Sequence, residues 1–64
     1  MDLKIIKRRK FSDHPDDSHL SFVLAQNKEN NEYITFLLND GAFYEGHYFN
    51  HNLTKAFEDF EKRQ

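Results

Sequence analysis

Apolar and polar side chains alternate in several stretches of this chain, which is the pattern of β-strands with at least one face in a core. The clearest alternation runs through residues 19–27. Residues 3–11 are rich in isoleucine and in charge, and residues 32–38 carry β-branched and aromatic side chains, which favour extended backbone. The segment 42–49 continues this composition after a turn. The pattern therefore predicts four strands in succession.

The spacing of apolar residues changes after the fourth strand. From residue 53 they occupy positions i, i+3, i+4 and i+7, which form one stripe along a helix. This stripe consists of Leu53, Ala56, Phe57 and Phe60. Asn52, or less favourably Thr54, can cap the helix start. We predict that the whole stripe is buried against the sheet, so that Phe57→Ala costs about 3–5 kcal/mol.

Four strands followed by one helix predict an α+β fold. Short connections between successive strands favour antiparallel neighbours, so we expect a four-stranded antiparallel sheet, a ββββ meander. The C-terminal helix should pack on one face of this sheet, against Leu20, Phe22 and Leu24.

The turn between the third and fourth strands has the sequence Asn39-Asp40-Gly41. It fits a three-residue loop with Gly41 in the left-handed conformation, or a two-residue turn on Asp40 and Gly41. The two alternatives shift the strand register by one residue and exchange the faces on which side chains lie. We favour the three-residue loop. On that register one face carries Ile34, Phe36, Leu38, Ala42, Tyr44, Gly46 and Tyr48.

Large apolar groups occur on both faces of the sheet, whereas a single short helix can cover only one of them. Val23 and Ala25 lie on the second face of their strand. On the favoured register, the second face of the hairpin carries Tyr33, Leu37, Phe43 and Phe49. An uncovered apolar patch usually marks an interaction site, and its commonest partner is a second copy. We predict a partner interface at these four residues, in a homodimer formed through the sheet face opposite the helix or through a strand edge.

Basic residues are concentrated at the start of the chain. Residues 1–10 carry a net charge of +4, whereas the other 54 residues carry −6 of the total of −2. The basic run consists of Lys7, Arg8, Arg9 and Lys10. Together with strand aromatics, such a run can contact the phosphates and bases of single-stranded nucleic acid. On a strand, however, these side chains alternate between two faces, and charge on an edge strand prevents aggregation. Edge protection or a solvated N-terminus is the favoured interpretation, and nucleic-acid contact is the alternative.

No arrangement typical of catalysis or cofactor binding occurs in the sequence. With Gly41 and Gly46 as the only glycines, no glycine-rich phosphate loop is present. None of the three serines lies in a nucleophile motif. The compact group of histidines and aspartates at residues 14–19 matches no standard metal site, and we interpret it as a solvated loop. We expect no catalytic residues, no cofactor and no metal.

Length and composition set further bounds. A chain of 64 residues predicts one small domain, residues 1–64. The absence of cysteine excludes disulfides and thiolate metal sites. No apolar run is long enough to cross a bilayer, and the first residues become charged at once, unlike a signal peptide. We expect a cytoplasmic protein with no membrane partner.

Two resemblances bear on function. The second half of the chain contains Tyr33-Ile34-Thr35-Phe36, Asn39-Asp40-Gly41, Gly46-His47-Tyr48-Phe49 and Ala56-Phe57-Glu58-Asp59-Phe60. This half resembles small uncharacterised proteins of Gram-positive bacteria and their phages and plasmids, which implies a cytoplasmic accessory role. The order of four strands and a helix is similar to that of Whirly-like single-stranded-DNA-binding coactivators, which work as dimers. The acidic body of this chain departs from that second family.

These observations together predict a non-enzymatic protein-interaction module with an accessory role, able to form a homodimer. The alternative is a small single-stranded nucleic-acid-binding protein that uses the basic first strand and the aromatic residues of the sheet.

Overall fold

Antiparallel hydrogen bonding joins four strands in the order β1-β2-β3-β4. In the computed structural model, which describes residues 2–17 and 19–63, the strands are β1 (Leu3–Lys10), β2 (Leu20–Asn27), β3 (Glu32–Asn39) and β4 (Ala42–Tyr48). A 3₁₀ turn, Pro15–Asp17, lies between β1 and β2, and helix α1 (Leu53–Lys62) follows β4. The helix packs against β2 and β3. The predicted α+β fold is therefore confirmed.

Helix α1 begins at a cap formed by its neighbouring asparagine. The side-chain oxygen of Asn52 accepts a hydrogen bond from the backbone N–H of Lys55 at 3.0 Å. This bond satisfies one of the N–H groups that a helix start leaves without a partner. Asn52 is thus the cap, as the sequence indicated in preference to Thr54.

The helix contacts the sheet through Ala56 and Phe60, which are both fully buried. They form one core cluster with Phe22 and Leu24 of β2. Ala56 and Phe60 are four positions apart on α1 and therefore lie one above the other on the same side of the helix. The prediction that the helix packs on this face of β2 is confirmed.

The prediction that Phe57 is buried is wrong. Phe57 is 40% exposed, and Leu53 at the helix start is 42% exposed. The helix rests on the line from Ala56 to Phe60, so the other half of its apolar stripe lies at the margin of the contact. The ring of Phe57 packs instead under the ammonium group of Lys7, 4.8 Å from the ring centre.

The hairpin between β3 and β4 has the two-residue turn, not the favoured three-residue loop. Asn39 pairs with Ala42, and both turn residues have positive φ, 50° at Asp40 and 85° at Gly41. Positive φ at both central positions defines a type I′ turn, whose twist matches that of the flanking strands. Residues 42–44 consequently lie on the opposite faces from those predicted.

A bulge in β4 shifts the register back. The irregularity lies opposite Phe36, and Glu45 in this segment has a φ of 54°. Beyond the bulge His47 pairs with Thr35 and Tyr48 with Ile34. These last two residues therefore lie on the faces that the favoured register predicted, although the turn itself differs.

A second bulge interrupts β1 at Ile6, between Ile5 and Lys7. Residues two apart on a regular strand share a face, but here Ile5 pairs with Ala25 whereas Lys7 pairs with Leu24. The bulge therefore places Lys7 on the side of the sheet that carries the helix. Both outer strands of the sheet are thus bulged.

Candidate interaction surface

A carboxylate on the helix connects α1 to the sheet. Asp59 accepts a hydrogen bond from the hydroxyl of the fully buried Thr35 at 2.5 Å. The Nδ1 atom of His47 lies 3.1 Å from the same Oδ2 atom, and the Nε atom of Arg63 donates to it at 3.2 Å. Four side chains, from β3, β4, α1 and the residue that follows α1, therefore meet at one point.

These contacts determine the ionisation of Asp59. Burial alone raises the pKa of a carboxyl group, but hydrogen bonds from Thr35, His47 and Arg63, with the charge of His47, outweigh that cost. The pKa of Asp59 consequently lies below its ordinary value of 3.8. The site holds a stable carboxylate, and its role is to attach the helix to β3 and β4.

Arg63 is buried at the end of the helix, with only 7% of its side chain exposed. Its guanidinium group donates to the backbone carbonyls of Thr35 and Glu45, in addition to Asp59. Asp59 and Arg63 are four residues apart, which is the spacing of an ion pair along a helix. The pair is present, but the same arginine also bonds the carbonyl of the bulge residue Glu45.

Two of the four predicted nucleic-acid contacts lie on the helix side of the sheet. Lys7 forms an ion pair with Glu61 at 3.3 Å. Arg9 donates to the carbonyl of Phe60 at 3.1 Å and also to the carbonyl of Arg63. Its guanidinium carbon lies 4.8 Å from the centre of the Phe22 ring. Both residues therefore contact the helix.

The other two basic residues, Arg8 and Lys10, project from the opposite face of β1, paired with Val23 and Ser21. Arg8 donates from Nε to the hydroxyl of Ser21 at 3.1 Å. Both side chains are exposed. The structure thus divides the basic run between two faces.

The four residues of the predicted partner interface are also divided. Tyr33, Leu37 and Phe49 are partly buried and pack against the core cluster under the helix. Phe43 lies on the other face, where it pairs with Leu38 and its ring lies 4.8 Å from that of Phe36. The bulge in β4 and the two-residue turn cause this separation, because together they reverse the face of residues 42–44 only.

The face of the sheet opposite the helix carries apolar residues from all four strands, and we call it the helix-free face. Its centre is a second core cluster that consists of Val23, Ala25, Ile34 and Phe36. The partly buried apolar residues packed on this cluster, within the described chain, are Leu3 and Leu38, both from the sheet itself. At the two sides lie the β1 residues Ile5, Arg8 and Lys10 and the β4 residues Phe43 and Tyr48.

Large apolar side chains at the sides of this face remain in contact with solvent. Ile5 is 52%, Phe43 48% and Tyr48 63% exposed. Every residue of β4 is exposed. Of these three, only Phe43 belongs to the four-residue interface predicted from the sequence. Ile5 and Tyr48 were missed because their alignment with Phe43 depends on the two bulges, which have no clear signal in the sequence.

Among residues 2–17 and 19–63, no group of three histidine, aspartate or glutamate side chains is placed to hold a metal ion. In the loop predicted to be solvated, His14 accepts the backbone N–H of Asp16 at 3.2 Å, and Ser12 donates to Asp17 at 2.7 Å. These bonds organise the connection locally.

No helix in the described part of the chain has the length and apolar composition needed to cross a membrane.

Comparisons with protein-family models, curated proteins and solved structures find no match. The two resemblances drawn from the sequence therefore remain predictions. The function has to be argued from the surface itself, which offers an apolar sheet face with cations along one side and aromatic rings along the other.

Proposed function

We propose that this protein is a non-enzymatic protein-interaction module that binds another folded protein through its helix-free face. The observation that supports this function is the exposure of Ile5, Phe43 and Tyr48 beside a sheet face on which no helix of the described chain packs. Apolar side chains grouped in this way lose contact with water when a second surface covers them, which favours association.

The chemistry of the face supports a protein partner. Aromatic residues and arginine are the side chains that most often carry the binding energy of protein interfaces. Tyr48 and Phe43 supply the rings, and Arg8 lies across the sheet from them. The hydroxyl group of tyrosine can stay hydrated or bond to the partner while its ring is covered.

The nucleic-acid alternative has less support. A single-stranded nucleic acid needs cations along one groove, whereas Lys7 and Arg9 contact the helix and only Arg8 and Lys10 project on the helix-free face. We therefore retain it as an outcome of the experiment below.

The test uses one substitution at two positions of the same strand. Tyr48 lies on the helix-free face and Tyr44 on the helix side, and they are 63% and 53% exposed. The tagged wild-type protein, Tyr48→Ser and Tyr44→Ser are used to capture partners from cells of the native host, with and without nuclease. We expect one protein partner to be retained by the wild type and Tyr44→Ser regardless of nuclease, and to be lost by Tyr48→Ser.

Two results would contradict the proposal. Equal capture by both tyrosine variants would show that the helix-free face is not the binding surface. Loss of the captured material after nuclease treatment would favour the nucleic-acid alternative. Circular dichroism of each variant establishes that the fold is retained.

A further inference from the structure

Cations and aromatic rings lie on opposite sides of the helix-free face, and this arrangement indicates which surface would complement it. Its β1 side carries the cations Arg8 and Lys10, and its β4 side carries the rings of Phe43 and Tyr48. A cation placed over an aromatic ring is attracted by the negative face of the ring. A complementary surface would therefore present rings opposite β1 and cations opposite β4.

A second copy of this chain is such a surface, provided that the two copies are related by a two-fold axis parallel to the strands. This axis places β1 of each copy over β4 of the other, and it preserves the position of a residue along the strand. Residues that are partners in neighbouring strands form two rows across the sheet, from β1 to β4. The rows are Lys10-Ser21-Leu38-Phe43 and Ile5-Ala25-Ile34-Tyr48.

We propose that the partner of the helix-free face is a second copy of this chain, in a face-to-face dimer with β1 over β4. This inference rests on the proposed function and names its partner. In the dimer, Lys10 lies over Phe43 of the other copy and Ile5 lies over Tyr48, each contact occurring twice. The other in-plane axis, perpendicular to the strands, would place the two cationic β1 strands over each other and is disfavoured by like-charge repulsion.

The strand edges favour this mode over pairing of edge strands. A second copy could also extend the sheet by bonding to an outer strand, but bulges interrupt such pairing and protect sheet edges. Both outer strands are bulged here, β1 at Ile6 and β4 in the segment around Glu45. The face is therefore the more accessible surface for self-association.

The size of the face sets the strength of the dimer. The central residues of the face are at most 2% exposed in the single chain, so a second copy removes little further area from water there. The area that the dimer buries comes from the side chains at the two sides of the face, and it lies at or below the lower end of the range for specific protein interfaces, about 1,200 Å². We therefore expect a reversible dimer that dissociates on dilution.

Sedimentation equilibrium up to high micromolar concentration measures this association. We expect a monomer–dimer equilibrium, weakened about tenfold or more by Phe43→Ser and changed less than about twofold by Tyr44→Ser on the other face. A wild-type protein that remains monomeric, or equal effects of the two substitutions, would overturn the inference.

Cysteine crosslinking tests the axis, because the chain has no cysteine of its own. Ile5 and Tyr48 of one copy are three strand spacings apart, about 14 Å, whereas two facing sheets pack about 10 Å apart. A bis-maleimide reagent with a reach of about 10 Å should therefore link the I5C/Y48C double variant into covalent dimers, whereas it should not link I5C or Y48C alone. Efficient crosslinking of either single variant would place like strands over each other and contradict the proposed axis.

Failure of this inference can be distinguished from failure of the proposed function. A monomeric wild type whose capture of a heterologous protein is still abolished by Tyr48→Ser overturns only the second copy as partner. A monomer whose capture does not differ between Tyr48→Ser and Tyr44→Ser overturns both.

Discussion

The guanidinium group of Arg9 donates a hydrogen bond to the carbonyl of Phe60 at 3.1 Å, and its central carbon lies 5.5 Å from the centre of the Phe60 ring. One side chain of the first strand thus holds both the backbone and the ring of the residue that anchors the helix. A cation near the last carbonyls of a helix also interacts favourably with the helix dipole. The basic run of β1 therefore has a structural role at this position.

The first prediction concerns this contact. Arg9→Gln should lower the free energy of unfolding by about 2 kcal/mol, because charged hydrogen bonds to the helix carbonyls are lost. Lys10→Gln, one residue along and exposed on the other face, should change it by less than about 0.5 kcal/mol. Urea denaturation at a concentration where the protein is monomeric measures both. Equal effects would contradict the structural role of Arg9.

The second prediction concerns acid stability. The pKa of Asp59 is lower in the folded protein than its ordinary value of 3.8, so the folded state binds fewer protons there than the unfolded state. Its contribution to stability is fully present above the unfolded pKa and is lost as the pH falls through the folded pKa. Thermal melting between neutral pH and pH 2 should show a loss of stability on acidification that is smaller in Asp59→Asn.

A control for this titration lies on the same helix. Glu58 is exposed, so Glu58→Gln should retain the acid dependence of the wild type. The prediction is contradicted if the thermal stabilities of the wild type and Asp59→Asn fall in parallel below pH 4. The contacts with Thr35, His47 and Arg63 would then not stabilise the carboxylate.

The third prediction compares two phenylalanines of the helix. Phe60 is fully buried, so Phe60→Ala should cost about 3–5 kcal/mol, which is enough to unfold a domain of this size. Phe57 is 40% exposed, and Phe57→Ala should cost only about 1 kcal/mol. Circular dichroism distinguishes an unfolded chain from a destabilised one. If Phe57→Ala unfolds the protein, the helix packs on the sheet by its whole apolar stripe.

The fourth prediction concerns the two glycines. Gly41 has a φ of 85° in the turn, so Gly41→Ala should cost about 1 kcal/mol or more. A Cβ atom at Gly46 would lie 3.6 Å from the ring of Tyr48, an ordinary contact, so Gly46→Ala should leave stability unchanged or slightly raised. Chemical denaturation of the two alanine variants measures the difference.

The turn type can be tested separately. A positive φ at Asp40, which NMR couplings can determine, is not compatible with the three-residue loop favoured from the sequence.

Local patterns in the sequence were sufficient to predict the strands, the helix and its cap. Period-two alternation identified β2, and helical spacing identified α1, because each pattern reflects which side of an element lies in the core. The register of the last hairpin was predicted incorrectly. Asp40-Gly41 accommodates either turn, and the choice depends on how the whole strand pairs with β3.

The interaction surface was predicted only in part for a related reason. A glutamate at residue 45 is not a typical residue for positive φ, so the bulge that aligns Phe43 with Tyr48 has little local signal. The burial of Arg63 likewise depends on the carbonyls of β3 and the bulge in β4, which are distant in sequence. The prediction that both sheet faces carry apolar groups did not depend on the register of the hairpin, and it agrees with the two core clusters.

The bond from Arg9 to the carbonyl of Arg63 joins residues 54 positions apart. The outer strand β1 and the last turn of α1 are each at a margin of the fold, where fraying normally begins. Because Arg9 holds both, neither can open without exposing the carbonyls or the guanidinium group that the other satisfies. The hydrogen-bonded backbone amides of β1 and of the last helical turn should therefore show similar free energies of opening in hydrogen exchange, as a single cooperative unit made from the two ends of the described chain.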